Sequence, residues 1–174
     1  MRAKRSLGQN FLTGEHYPRR IVEAVARVNE ARKHRMAEKI ERAFGGVSKK
    51  TIAVLGLTFK PNTDDMREAP SLVILPWLKQ RGAIVRAYDP EGMKEAKKHL
   101  DIEMCQDAYA ALKDADGVVI LTEWNEFRAL DFRRIRNLLK RPLMVDLRNI
   151  YRPDEMAKAG FAYVSIGRPE VKPA

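Results

Sequence analysis

From residue 51 onward, the chain alternates short apolar, β-branched runs with segments of helical character. The apolar runs read TIAVLGL, AIVRAY, GVVILTE, PLMVDLR and AYVSIG, and a shorter IEM run falls between the second and the third. They are apolar nearly throughout, which is typical of strands buried on both faces. The alternation therefore predicts an α/β fold with a Rossmann-like, doubly wound, mainly parallel sheet and helices on both sides.

One long helix is predicted before the sheet. Pro18 suits its first turn and Gly45 its end. We predict three segments: an irregular basic arm over residues 1–17, a linking and dimerisation helix over 18–46, and a Rossmann-like domain over 47–174. The helix is longer than that domain needs, so part of it should pack on another surface. Its apolar positions recur at helical spacing: Ile21, Val22, Val25, Val28, Met36, Ile40 and Phe44.

The net charge of +10 is concentrated at the start of the chain. Residues 1–50 hold 13 Lys and Arg against 5 Asp and Glu, whereas residues 51–174 hold 20 against 18. The bland interpretation is a solvated polar face on the helix. The alternative is a nucleic-acid-binding module in the leader and helix, because a clustered basic patch attracts phosphates.

Three features missing from the sequence indicate the cellular location of the protein. Cys105 is the single cysteine, so an internal disulfide is excluded, and no stretch approaches the roughly 20 apolar residues of a membrane span. The basic N-terminus has no apolar segment or cleavage site after it, unlike a secretory signal. We expect a cytoplasmic protein with no membrane partner.

Four loops should meet at the carboxyl ends of the strands, where open α/β sheets collect their ligands. They are the loop after the first strand and the YDP, TEW and LRN turns. Together they would bring the cations Lys60, Arg67 and Arg148 close to the flat rings of Phe59 and Trp124. Cations offer donors to phosphate and rings offer a surface to a base, so the pattern predicts a site for a nucleoside diphosphate.

The cations of the first loop have a second interpretation. Lys60 and Arg67 could simply neutralise Asp64, Asp65 and Glu68 in exposed ion pairs worth under about 1 kcal/mol each. The loop also lacks the G-x-G-x-x-G glycines, so it is not a dinucleotide fingerprint.

Asp89 closes the second predicted strand. An acid in this place can hold a ribose hydroxyl in a Rossmann fold. A local role beside Pro90, accepting backbone N–H groups of the following turn, is the favoured interpretation.

The string GLTFKPNTDDMREAPS, followed by YDP, LTEWNEF and DLRNIY, closely resembles the C-terminal domain of UDP-glucose 6-dehydrogenases, with the motifs in the family's order. The resemblance covers about residues 20–168. It includes RIVEAVARVNEARKHRM, which is similar to the long central helix that links the family's two domains and supports its dimer. The resemblance implies a domain that binds the UDP part of UDP-glucose in an enzyme that oxidises the sugar C6 hydroxyl with two NAD to give UDP-glucuronate.

The resemblance also implies roles for individual residues. Phe59 and Lys60 match substrate contacts, Arg67 matches a contact to NAD, and Arg148 matches a substrate-binding arginine. Leu147 stands where relatives often have glycine.

The family's NAD-binding domain and its G-x-C-x-P-K-D segment should precede the long helix, and neither is in this chain. We therefore expect UDP-sugar binding with only partial contact to NAD, no catalytic residue, and no activity of the chain alone. Cys105 has no matching context and is expected to be a structural thiol. His16, His34 and His99 lack metal-ligand spacing, so no metal is expected.

The first residues, MRAKRSLGQNFLTG, resemble instead the N-terminus of small-subunit rRNA adenine dimethyltransferases, in which Asn10 and Leu12 would match contacts to S-adenosylmethionine. No methyltransferase glycine loop follows, so a cofactor site is not expected there. The chain therefore resembles a fusion or a truncation. Two alternatives stay open: a nucleic-acid-binding module and a non-catalytic assembly module.

Overall fold

A computed structural model describes residues 16–173, with side chains from Arg19 onward. Residues 1–15, which include Asn10 and Leu12, lie outside the described part. The long helix begins at His16, two residues earlier than predicted.

The described residues form one parallel sheet of six strands in the order β3-β2-β1-β4-β5-β6. The alternating pattern of the sequence is confirmed, including its shortest strand. Helix α5 was not predicted, because its sequence NEFR holds a single apolar residue and shows no hydrophobic period. The elements are α1 His16–Phe44, β1 Thr51–Leu55, α2 Ser71–Gln80, β2 Ile84–Tyr88, α3 Met93–Ala96, β3 Glu103–Met104, α4 Ala108–Leu112, β4 Gly117–Ile120, α5 Asn125–Arg128, α6 Phe132–Leu138, β5 Leu143–Asp146, α7 Pro153–Lys158 and β6 Ala162–Ser165.

The two faces of the sheet carry separate apolar clusters, as a doubly wound fold requires. Successive β1 side chains point to opposite faces, so Ile52 and Val54 join one cluster while Ala53 and Leu55 join the other. Helices α1, α2 and α3 cover the first face, and α4 to α7 cover the second. At the carboxyl ends of the strands, loops and part of helix α1 surround the rim of the sheet.

Helix α1 packs on the sheet through its C-terminal half only. Ala37, Ile40 and Phe44 are fully buried there. The N-terminal half projects beyond the sheet, since 29 residues make a helix of about 44 Å. Its four apolar side chains are 54–66% exposed, and we call them the α1 stripe: Ile21, Val22, Val25 and Val28. No helix in residues 16–173 is long and apolar enough to cross a membrane.

Candidate functional site

A cavity of about 460 Å³ lies at the carboxyl ends of β1, β4 and β5, where the chain reverses between the two halves of the sheet. Three walls enclose it: helix α1, the loop after β1, and the turns after β4 and β5. Ligands of open α/β sheets bind at such a crevice. Its lining includes Asn29, Arg32, Lys33, Phe59, Leu121, Leu147 and Arg148.

The turn after β5 is built around a buried carboxylate. Asp146 is fully buried, and its oxygens accept hydrogen bonds from the Arg148 backbone N–H at 2.9 Å and from the Tyr163 hydroxyl at 2.7 Å. The side chain of Asn149 exchanges two hydrogen bonds with the backbone of Ile166, at 3.0 and 2.9 Å. The Arg148 backbone is thereby fixed beside the cavity.

The substitution of Leu147 for glycine fits this turn without strain. The left-handed residue of the turn is Asn149, with φ 57°, and asparagine tolerates that conformation better than most residues. Leu147 therefore needs no special backbone conformation, and its side chain forms part of the apolar wall.

The guanidinium of Arg148 is paired with Glu123, from the turn after β4. Nε lies 2.5 Å from Oε2 and Nη2 lies 2.7 Å from Oε1. Partial burial opposes ionisation of the Glu123 carboxyl, but the hydrogen bonds and charge of Arg148 outweigh it and hold the pKa of Glu123 below its ordinary value. The pair is thus ionic at neutral pH.

Phe59 reaches the cavity because the chain after β1 turns sharply. Gly56 has φ +88°, and a Cβ there would lie 2.5 Å from Cβ of Thr122. The Thr122 hydroxyl donates to the Thr58 carbonyl at 2.7 Å, and the Phe59 N–H donates to the Asp65 carbonyl at 3.0 Å. The ring of Phe59 stays 50% exposed, so it offers an open face to a ligand.

Asp89 holds this loop from below and does not face the cavity. Its Oδ2 accepts from the N–H groups of Leu57 at 2.6 Å and Thr58 at 3.2 Å, while its Oδ1 accepts from Gly92 N at 2.7 Å. The favoured local role is confirmed and extends beyond its own turn.

Trp124 does not provide the flat ligand surface that we expected, so that prediction is wrong. Only 6% of the residue is exposed, because its ring packs in the second apolar cluster. Its indole N–H donates to Asp89 at 3.2 Å, which satisfies the ring's polar atom inside the protein.

Arg67 lies outside the cavity. Its guanidinium donates to both oxygens of Asp65, at 2.9 and 2.8 Å, and these bonds lower the pKa of Asp65 to about 2. The Arg67 side chain is 89% exposed and borders a separate depression of about 470 Å³ that His99 also lines. In the structure, Arg67 therefore neutralises Asp65 in an exposed ion pair, as the second interpretation of this loop proposed.

Lys60 is exposed and lines neither of these two depressions. Of the four predicted site residues, the structure brings Phe59 and Arg148 into one cavity and leaves Lys60 and Arg67 on the outer surface of the loop.

Helix α1 supplies polar site residues that were not predicted. Lys33 is paired with Glu68 at 3.0 Å and Glu30 at 3.4 Å; its burial opposes protonation, but these bonds raise the pKa of Lys33. Arg32 makes no hydrogen bond or ion pair with any described side chain. Helical spacing in the sequence could have identified them, because positions 22, 25, 29, 32 and 36 fall on one face of the helix.

The cysteine and the two histidines whose side chains are described, His34 and His99, lie outside the cavity. Cys105 is buried, and that burial raises the pKa of its thiol, as expected for a structural cysteine. His34 and His99 are half exposed, each within 3.6 Å of a glutamate. Residues 16–173 contain no group of three or more potential metal ligands.

Comparison with known proteins links this geometry to one family. The profile described as "UDP-glucose/GDP-mannose dehydrogenase family, UDP binding domain" matches residues 53–153. The chain is 54% identical over 155 residues to UDP-glucose 6-dehydrogenase of Rhizobium meliloti (strain 1021), and 44% identical over 158 residues to UDP-glucose 6-dehydrogenase TuaD of Bacillus subtilis (strain 168). These matches cover 88% and 90% of this chain, but it spans only 36% and 34% of the two relatives.

Solved structures give the same answer. The fold matches a UDP-glucose dehydrogenase from the hyperthermophilic archaeon Pyrobaculum islandicum with a TM-score of 0.67 and 32% identity, over 83% of this chain and 31% of that one. It also matches a UDP-D-ManNAc dehydrogenase from Pyrococcus horikoshii with a TM-score of 0.62 and 26% identity, over 80% and 31% of the two chains.

Proposed function

Because the chain belongs to the UDP-glucose/GDP-mannose dehydrogenase family, as a UDP binding domain, we propose that its cavity binds the UDP part of a UDP-sugar such as UDP-glucose. One observation carries the proposal: the guanidinium of Arg148, the open ring of Phe59 and Arg32, which pairs with none of the described side chains, line the same cavity. The proposal divides the chain into a linking helix over 18–46 and a UDP-binding domain over 47–174.

Each wall of the cavity has a chemical role in this proposal. Arg148, Arg32 and Lys33 offset the charge of the two phosphates, and each charged hydrogen bond contributes about 1.5–3 kcal/mol. The Phe59 ring packs against the uridine. The Asn29 amide offers a donor and an acceptor, which the edge of uracil also requires.

Lys60 and Arg67 are assigned to the outer surface of the same loop. We propose that Lys60 contacts the substrate at the mouth of the cavity and that Arg67 contacts NAD held by another domain. Their exposure supports these roles, since Lys60 is exposed and the Arg67 side chain, although paired with Asp65, is 89% exposed.

The reaction itself is proposed to need that other domain. Together they would oxidise UDP-glucose to UDP-glucuronate with NAD, while this chain alone would bind the nucleotide without turning it over. The buried position of Cys105 supports this division, because no cysteine among the described residues lines the cavity.

A second copy of the chain is the proposed partner of the α1 stripe. Its four half-exposed apolar residues form a surface that water solvates poorly.

The family membership favours the nucleotide-sugar function over the nucleic-acid-binding module that the basic leader suggested.

Thermal unfolding with ligands tests the proposal. UDP, UDP-glucose and NAD are titrated separately; UDP at 100 times its Kd should stabilise the chain by about 2.7 kcal/mol. Arg148→Ala should reduce the shift. Arg152→Ala is the matched control, since Arg152 is an exposed arginine that pairs with Asp154 outside the cavity. Absence of any shift at millimolar UDP would contradict the proposed function.

A further inference from the structure

Glu123 holds the guanidinium of Arg148 by one edge. The two hydrogen bonds use the Nε–H and one N–H of Nη2. An arginine has five N–H donors in a rigid plane, so the other N–H of Nη2 and both of Nη1 remain. Nη1 makes no hydrogen bond to the described residues.

The carboxylate lies outside the cavity that its partner lines. Arg148 is part of the cavity wall, whereas Glu123 is not. Glu123 therefore takes no part in the cavity wall, and three donors of the Arg148 guanidinium stay without a partner among the described residues.

Both ends of the pair are anchored to the framework. Glu123 lies between two anchored neighbours in the sequence. Thr122 is fully buried and hydrogen-bonded to the loop after β1, and Trp124 is hydrogen-bonded to Asp89. Arg148 is held through its backbone by Asp146. An ion pair between two fixed points restricts the guanidinium to one orientation, which lowers the ordering cost of binding.

We propose that Glu123 is a positioning residue for nucleotide binding: it presents the free donors of Arg148 to the phosphates of UDP. The inference rests on the proposed function of the cavity. The competing role for Glu123 predicts the opposite effect on UDP affinity. A carboxylate that competed with phosphate for Arg148 would weaken binding, and its neutralisation would tighten binding.

Calorimetric titration of UDP into the full chain tests the proposal by a double-mutant cycle. Glu123→Gln keeps the size of the side chain but cannot accept both N–H groups, and should weaken UDP binding about tenfold, or about 1.4 kcal/mol. Glu123→Asp keeps the carboxylate and should recover part of this loss. In an Arg148→Ala background the Glu123→Gln change should alter affinity less than twofold, because its effect acts through that guanidinium.

The possible failures are distinguishable. If the unmodified chain does not bind UDP, the proposed function fails. If it binds UDP and Glu123→Gln binds equally or more tightly, the positioning role is overturned while the function stands. A loss that persists in the Arg148→Ala background, or that Glu123→Asp does not reduce, would assign Glu123 a structural role only.

Discussion

The Oδ2 atom of Asp89 accepts a hydrogen bond from the indole nitrogen of Trp124 at 3.2 Å, across the end of β1. Asp89 follows β2 and Trp124 follows β4, the two strands that flank β1 in the sheet. The same oxygen accepts from Leu57 and Thr58, which lead directly to Phe59. The binding loop is therefore clamped from both neighbouring strands by one buried carboxylate.

The first prediction concerns this clamp. Asp89→Ala should lower the free energy of unfolding by about 3–5 kcal/mol, because it leaves several buried N–H groups without an acceptor. Urea denaturation measures the change. Glu91→Ala is the control, since Glu91 is exposed two residues away. A loss below about 1 kcal/mol would mean that water replaces the carboxylate.

The second prediction compares two glycines with positive φ. Gly56→Ala should cost about 3 kcal/mol or more, because it combines backbone strain with a Cβ placed 2.5 Å from Thr122. Gly45→Ala meets no atom within 4 Å and should cost only about 1–2 kcal/mol from its φ of +65°. Urea unfolding of both variants isolates the effect of crowding. Equal losses would refute the close approach at Gly56.

The fold was predictable because strands buried on both faces are apolar nearly throughout, as TIAVL and LMVD are apart from one polar residue each. Strand ends in a parallel sheet share one rim, so Phe59 and Arg148 could be brought together from sequence. Trp124 could not be placed, because its burial depends on an acceptor, Asp89, that is distant in the sequence. The polar α1 residues were missed because the register of α1 on the sheet decides which face meets the cavity.

The third prediction concerns pH. The pKa of Asp65 is lowered to about 2 by Arg67, so this pair stabilises the fold above the ordinary aspartate pKa and loses that contribution as the pH falls toward 2. Between pH 5 and 2.5, Asp65→Asn should therefore lose less stability than the unmodified chain. Urea denaturation at both pH values gives the difference. Arg67→Ala should reproduce part of it, because the backbone N–H of residue 67 still donates to Asp65, and an unchanged pH dependence in either variant would contradict the assignment.

The fourth prediction compares two arginines of helix α1, Arg32 and Arg35. Arg32 lines the cavity, so Arg32→Ala should weaken UDP binding about tenfold and reduce its salt dependence. Arg35→Ala removes an exposed cation from the same helix outside the cavity and should change affinity less than twofold. Calorimetry at two salt concentrations provides both readouts. Equal effects would indicate a general attraction of the basic helix and no specific contact.

The last prediction concerns the α1 stripe. If a second copy covers it, burial of half-exposed valines contributes about 1 kcal/mol each, and a charge placed there must be desolvated or must separate the chains. The double change Val22→Asp and Val25→Asp should thus shift the mass seen by sedimentation from twice 19.9 kDa toward 19.9 kDa. Ala31→Asp adds an acidic group to the same helix outside the stripe and should leave the dimer intact. An unmodified chain that stays monomeric at a concentration of about 100 μM would contradict the proposed partner. Even weak self-association, with a Kd in the micromolar range, populates dimers at that concentration.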